Sequence, residues 1–241
     1  MSDIPDILMF MRQVRPWYPR MLYTLAETCK HPFTLHVQYD SDSTAFKACN
    51  DVIKRSDSRY ICICDDDVEF IEDNWLLTLI NFLQEHRDFG CIVPYELKST
   101  EDIETLKRVG REQFFATIFQ YATCNWVAGY VSLFDRDRVP NIYCDERLPG
   151  RYGMSDVDLA LQVRDAGFLV GVTTDTTVAH LYKKEDAAIL EPLGVHMNDN
   201  NEMHKKHVDY MTQKWGKFYT DSEVQKAFRF YYREQNGKKE D

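Results

Sequence analysis

The chain has 241 residues, enough for one large α/β domain or two small ones, and its 44% hydrophobic content can fill a sizeable core. Its formal net charge is −10, from 29 Lys+Arg against 39 Asp+Glu. That balance excludes the broad basic face needed for sequence-independent nucleic-acid binding, while leaving room for a small basic groove around a diphosphate.

No apolar stretch approaches the ~20 residues of a membrane span. Met1–Asp6, acidic and carrying Pro5, does not read as a signal peptide. The seven cysteines, at 29, 49, 62, 64, 91, 124 and 144, form no CxxC pair and are odd in number. Reduced, buried thiols in a cytoplasmic protein are therefore expected rather than a disulfide framework.

In chain order, the apolar run Ile7–Met11 predicts a first strand, and Pro16 and Pro19 punctuate the turn after it. Trp17–Lys30 has helical spacing through Met21, Leu22, Leu25 and Ala26. Phe33–Tyr39 alternates as a second strand and ends in Asp40–Ser41–Asp42–Ser43; Thr44–Arg55 follows as a helix. Tyr60–Cys64 reads as a fully buried strand, Glu72–His86 as a helix and Cys91–Tyr95 as another strand. Strands and helices alternating at this spacing predict an α/β fold, a mostly parallel central sheet flanked by helices. Lys98–Phe119 is too polar to assign by periodicity. Trp126–Phe134 resumes as a strand, Ser155–Asp165 as a helix closed by Gly167, and Phe168–Val172 as a late strand. The tail from Lys183 is charged, aromatic and expected to be helical. Residues 1–182 are read as the domain and 183–241 as its C-terminal helical extension.

Chemistry concentrates at four places. Asp65–Asp66–Asp67 stands directly after the buried strand, where open α/β sheets place their ligand crevice. Adjacent carboxylates repel unless a cation joins them, and a hard divalent ion with oxygen ligands, Mg²⁺ with a phosphate in tow, is the simplest one. A solvated acidic turn is the plain alternative; an EF-hand is excluded because its central Gly and terminal Glu are missing. Ser155–Asp156–Val157–Asp158 reads as a helix start with Ser155 as N-cap and Asp158 three positions on. A carboxylate there is held ionised by the helix dipole and is available as a base. His180, after Thr177–Val178–Ala179, falls at another C-terminal rim, and Asp40 and Asp42 end the second strand at the same rim. His196, His204 and His207 lack the companions of a zinc site and read as a solvated segment.

These residues resemble a known arrangement. Asp65–Asp66–Asp67–Val68–Glu69 followed by Asn74–Trp75–Leu76 resembles the DxD segment of GT-A fold glycosyltransferases, especially family 2. Ala128–Gly129–Tyr130–Val131–Ser132–Leu133–Phe134 resembles their Gly-containing strand on the acceptor side, and Asp145–Glu146–Arg147–Leu148 their "FDE" turn, with Cys144 in place of Phe. Ser155 to Phe168 is similar to the family's "ED-x-DL…R…AG-[YF]" helix, and Gln213–Lys214–Trp215–Gly216 to its late "KWG". Ser155 replaces the usual Glu, Arg12–Gln13–Val14–Arg15–Pro16 replaces a "P-x-x-N" loop, and Asp40–Ser41–Asp42–Ser43–Thr44 is shorter than the usual "DDGS-x-D".

The resemblance implies a metal-dependent enzyme that moves a hexosyl or pentosyl unit from a nucleotide-diphosphate sugar to an acceptor hydroxyl, with inversion. It implies Mn²⁺ or Mg²⁺ held by Asp65, Asp67 and His180, and donor contacts from Asp40, Asp42, Asp65, Asp66 and Arg151. Asp156 is the implied general base. The implied acceptor is a glycan, a lipid-linked precursor, a protein or a modified base. A nucleotidyltransferase is the nearest rival, although no Gly-rich basic loop follows the first strand. A non-catalytic nucleotide-sugar-binding module and a two-carboxylate hydrolase are the others.

Overall fold

The computed structural model of the protein describes residues 4–11, 17–39, 45–97, 100–115, 120–124, 129–149, 154–180, 201–216 and 229–231. One sheet of nine strands forms its centre. They are β1 (Asp6–Met11), β2 (Thr34–Tyr39), β3 (Tyr60–Asp65), β4 (Val68–Phe70), β5 (Phe89–Leu97), β6 (Tyr121–Cys124), β7 (Val131–Asp135), β8 (Leu169–His180) and β9 (Arg229–Tyr231). Their order is β2-β1-β3-β7-β5-β8-β6-β9, with β4 paired to β8. β2, β1, β3, β5, β8 and β9 run one way, and β7, β6 and β4 run against them. Among the described residues the helices are α1 (Tyr18–Thr28), α2 (Ala45–Arg55), α3 (Trp75–Glu85), α4 (Thr100–Val109), α5 (Arg111–Phe114), α6 (Ser155–Asp165) and α7 (Asn201–Trp215).

Helices on both faces explain why the central strands read as unbroken apolar runs: each strand must feed two cores. Ile7, Met9, Cys62, Cys64 and Leu133 point to one face, against Met21 and Leu25 of α1 and Trp75, Leu76, Leu79 and Leu83 of α3. Leu8, Ile61, Phe134, Cys91 and Val93 point to the other. There they meet Phe46, Cys49, Val52 and Ile53 of α2, Val157, Leu161 and Val163 of α6, and Met211 of α7. Cys29, Cys49, Cys62, Cys64, Cys91 and Cys144 are buried thiols, as expected. No described helix is long and apolar enough to cross a membrane.

Differences from the sequence reading arise where tertiary pairing overrides local pattern. The strand expected over Trp126–Phe134 begins only at Val131, and a separate strand lies upstream at Tyr121–Cys124; residues 125–128 lie outside the described set. The unassigned Lys98–Phe119 stretch contains the short helices α4 and α5. β8 runs well past Val172, through a threonine-rich stretch that looks polar. Its Thr173, Thr174, Thr176 and Thr177 are nevertheless buried. Backbone pairing supplies the reason: the register with β5 jumps from Pro94↔Thr173 to Tyr95↔Thr177, and Thr174 N donates to Gln120 O across 2.7 Å. Glu72, expected inside α3, instead accepts from Thr177 N at 2.8 Å and Thr177 Oγ1 at 3.0 Å, helping to hold the far half of β8 in place. In the tail, described residues 229–231 form a strand on β6 rather than a helix.

Candidate active site

The acidic trio stands where β3 ends. Asp65 N donates to Tyr130 O at 2.9 Å, which closes the strand against the start of β7. The chain then turns back through β4, whose Val68 pairs with His180 at the end of β8. That register delivers the imidazole to the trio: His180 Nε2 lies 3.0 Å from Asp67 Oδ1, and Nδ1 lies 3.6 Å from Glu96 Oε1 on β5. Asp65 is exposed, while Asp66 and Asp67 are buried at 2% and 3% exposure. Like charges buried side by side require a counter-charge. Burial alone would push the His180 imidazole down, but its bonds to Asp67 and Glu96 outweigh that and raise it to about 10. The ring is therefore a cation at neutral pH unless another cation takes its place and releases the proton.

One oxygen each from Asp65 and Asp67 and a ring nitrogen of His180 all lie within 4.8 Å of one another. Ligands at right angles around a hard divalent ion bound at ~2.1 Å stand about 3 Å apart. The 3.0 Å between His180 Nε2 and Asp67 Oδ1 has that spacing. Two carboxylates and one imidazole are a donor set that Mn²⁺ accepts. The residues present therefore fit such an ion.

Asp156 lies on the first turn of α6 and is half-buried. Burial pushes its carboxyl above the ordinary range, partly countered by bonds from the backbone amides of Val157, Asp156 and Gly129. Val157 N donates to Asp156 Oδ1 at 2.9 Å. Gly129 is required here by close approach: a Cβ at 129 would stand 2.7 Å from Asp156 Cβ. Gly129–Tyr130 thus touches both halves of the site, Asp156 through Gly129 and Asp65 through the Tyr130 carbonyl. The Tyr130 hydroxyl donates to Pro94 O at 2.8 Å, and its ring centroid is 6.1 Å from that of His180.

The capping expectation for α6 is corrected. Met154, with φ 56°, occupies the N-cap position without a side-chain bond, and Ser155 is the first helical residue. Asp158 does not return to the helix start either; it is fully buried and receives Lys214 Nζ at 2.6 Å, Trp215 Nε1 at 2.8 Å and Gln162 Nε2 at 2.8 Å. Asp145, also buried, receives Lys214 Nζ at 2.8 Å, Tyr210 OH at 2.7 Å and a bidentate pair from Arg147. His207 is buried rather than solvated, and its Nε2–H donates to Pro149 O at 2.5 Å. Sequence reading placed Asp145, Asp158 and Lys214–Trp215 in three separate motifs; only their three-dimensional proximity shows them to be one network. Glu96 and Glu72 were missed altogether, since neither stands in a recognisable pattern. Asp40, Asp42, Arg12, Arg15, Arg151, His196 and the aromatic stretch at 218–228 lie outside the described residues, as does the side chain of His204.

Residues 36–137 match the model of glycosyl transferase family 2. The segment includes the Asp65–Asp67 trio and Gly129 but stops short of Asp156 and His180. No curated protein sequence matches the chain. Among solved structures, GalNAc-T7 with UDP, GalNAc and Mn²⁺ superposes with a TM-score of 0.57 at 11% identity, over 88% of this chain and 56% of that one. The mannosyltransferase PcManGT from Pyrobaculum calidifontis, in complex with GDP-Man and Mn²⁺, gives 0.52 at 11% identity over 88% and 71%. S. aureus TarS in complex with UDP gives 0.53 at 13% identity over 91% and 74%. This chain thus spans little more than half the length of GalNAc-T7. At such identities the likeness is one of fold, and the fold is GT-A.

Proposed function

From a GT-A fold carrying a family 2 segment, we propose that this chain is a metal-dependent glycosyltransferase that moves a sugar from a nucleotide-diphosphate donor to an acceptor hydroxyl. The observation that carries the reading is the meeting of Asp65, Asp67 and His180 at the rim of β3 and β8, joined through Gly129–Tyr130 to Asp156. The Mn²⁺ of GalNAc-T7 and PcManGT, and the nucleotides bound by all three neighbours, support the choice of ion and donor. Asp65, Asp67 and His180 would hold a Mn²⁺ or Mg²⁺ ion, which would supply Lewis-acid charge for the departing diphosphate.

The protein's own groups do the rest. Asp156 accepts the proton of the attacking hydroxyl as the new bond to the anomeric carbon forms and the bond to the diphosphate oxygen breaks. A single displacement of this kind inverts the anomeric centre. Burial makes Asp156 a stronger base than a solvated carboxylate, which suits that role. Asp66, buried beside the ligands, and Asp40, Asp42 and Arg151 are the proposed donor contacts; a hexose or pentose, on a glycan, lipid-linked, protein or modified-base acceptor, completes the reaction.

A thermal-shift screen of nucleotide sugars, with and without Mn²⁺, tests the reading. Ligand at ~100 times its Kd stabilises by about 2.7 kcal/mol, so a true donor raises Tm only when the metal is present. If no nucleotide sugar shifts Tm and none releases its nucleoside diphosphate, the proposal fails.

A further inference from the structure

We propose that α7 is a positioning element for the base: Lys214 and Trp215, through Asp158, hold the first turn of α6 so that Asp156 stands against Gly129. The inference rests on the reading of Asp156 as the base.

Within the first turn of α6, Asp156 Oδ1 accepts from Val157 N at 2.9 Å. The helix N-cap, Met154, lies in the left-handed region, a conformation disfavoured outside glycine, and makes no side-chain capping bond. The turn is closed by Asp158 N donating to Met154 O at 2.9 Å. Asp158 is therefore the residue through which the turn bearing Asp156 can be gripped, and its side chain is gripped from α7. Oδ1 takes both Lys214 Nζ and Trp215 Nε1, and Oδ2 takes Gln162. A fully buried carboxylate is tolerated only when its oxygens are met by charge and hydrogen bonds, so this seat is specific.

Lys214 is shared. Its ammonium also meets Asp145 Oδ2, which Tyr210 OH reaches as well. One cation thus joins the turn at Asp145 to the start of α6. His207 adds a third hold at Pro149 O. His207, Tyr210, Met211 and Lys214 recur at helical spacing, and Met211 is buried in the core beside α6. The gripping face of α7 is a single stripe, and none of its residues is among the proposed metal ligands or donor contacts. Their effect on transfer must therefore pass through α6.

The test uses the full chain with Lys214→Met, which keeps the stem and removes the ammonium, and Trp215→Phe, which keeps a smaller aromatic side chain and removes the indole N–H. With the donor identified by the thermal screen, kcat should fall about 10- to 100-fold in Lys214→Met, as for a base displaced by about 1 Å, while donor KM stays within about threefold. Trp215→Phe should show a smaller fall of the same pattern, and Mn²⁺ binding followed by electron paramagnetic resonance should be unchanged in both. Amide exchange across residues 154–160 should accelerate about tenfold or more while that of β3 does not. A stable Lys214→Met protein with full kcat, or with kcat, KM and Mn²⁺ binding all impaired alike, overturns the proposal. If the wild-type chain turns over no nucleotide sugar, the functional reading fails separately. Exchange then decides: unchanged protection at 154–160 in both variants removes the grip itself.

Discussion

Replacing Gly129 by alanine perturbs the site through one added carbon. That Cβ would lie 2.7 Å from Asp156 Cβ, whereas carbon atoms rest ~3.5–4.0 Å apart. The start of β7 and the first turn of α6 must therefore separate by about 1 Å. A displacement of that size at a reacting group costs about 10²-fold in rate, and the overpacking costs about 1–3 kcal/mol of stability. The displacement also weakens a backbone bond that favours the charged carboxylate, so the acid limb of the rate profile should move to higher pH. Release of nucleoside diphosphate at saturating donor measures the rate, and Mn²⁺ binding reports whether the shift also reaches Asp65, whose N–H bonds Tyr130 O at 2.9 Å. Asp156→Asn alone should lose about 10²–10⁴-fold, the usual share of a general base. If Gly129→Ala acts through Asp156, adding it to Asp156→Asn should cost nothing more. Full turnover in Gly129→Ala, or an additive loss in the double variant, would refute the assignment of Asp156.

Asp67→Ala should abolish Mn²⁺ binding and with it the metal dependence of donor stabilisation; an unchanged Mn²⁺ titration would remove this carboxylate from the ligand set. Asp145 should govern acid stability. Burial raises its carboxyl, but bonds from Arg147, Lys214 and Tyr210 outweigh this and hold it well below the usual carboxylate range. A depressed carboxyl contributes stability that is present above its unfolded value near ~3.9 and lost as pH falls through the folded value. The urea-stability gap between wild type and Asp145→Asn, about 3–5 kcal/mol at pH 6 as a broken buried pair, should therefore narrow as pH falls below ~4, and a gap that stays constant would count against this account. Gly171→Ala places a Cβ 2.3 Å from Ala122 O. Because the obstacle is backbone, at least about 1–3 kcal/mol should be lost, and a Tm equal to wild type would contradict the packing of β6 on β8.

Much of this site is written locally. The apolar run before Asp65 and the three carboxylates after it identify a strand end with a charge problem, because burial on both faces forces a continuous hydrophobic strand. The helix expected over Ser155–Asp165 is the helix observed, since periodicity and a closing Gly167 are properties of neighbouring residues. Reading fails where chemistry is supplied from afar. Ser155 looked like a cap, yet the turn is held from α7; His207 looked solvated among Asn and Lys, yet it is buried on Pro149. The strand expected at Phe168–Val172 runs on to His180 in a bulged register that no local pattern announces, where its threonines are buried.

Strand and helix periods, the order of the motifs and the placing of acids at a strand terminus were thus available from the order of residues alone, since each depends on spacings of a few positions. The resemblance already grouped Asp65, Asp67 and His180, but the 3.0 Å spacing of His180 Nε2 and Asp67 Oδ1 across 113 residues, the seating of Asp156 on Gly129, and the single ammonium between Asp145 and Asp158 were not. They follow from which strands pair and in what register, and that choice is made by burial of the whole sheet between its two helical layers.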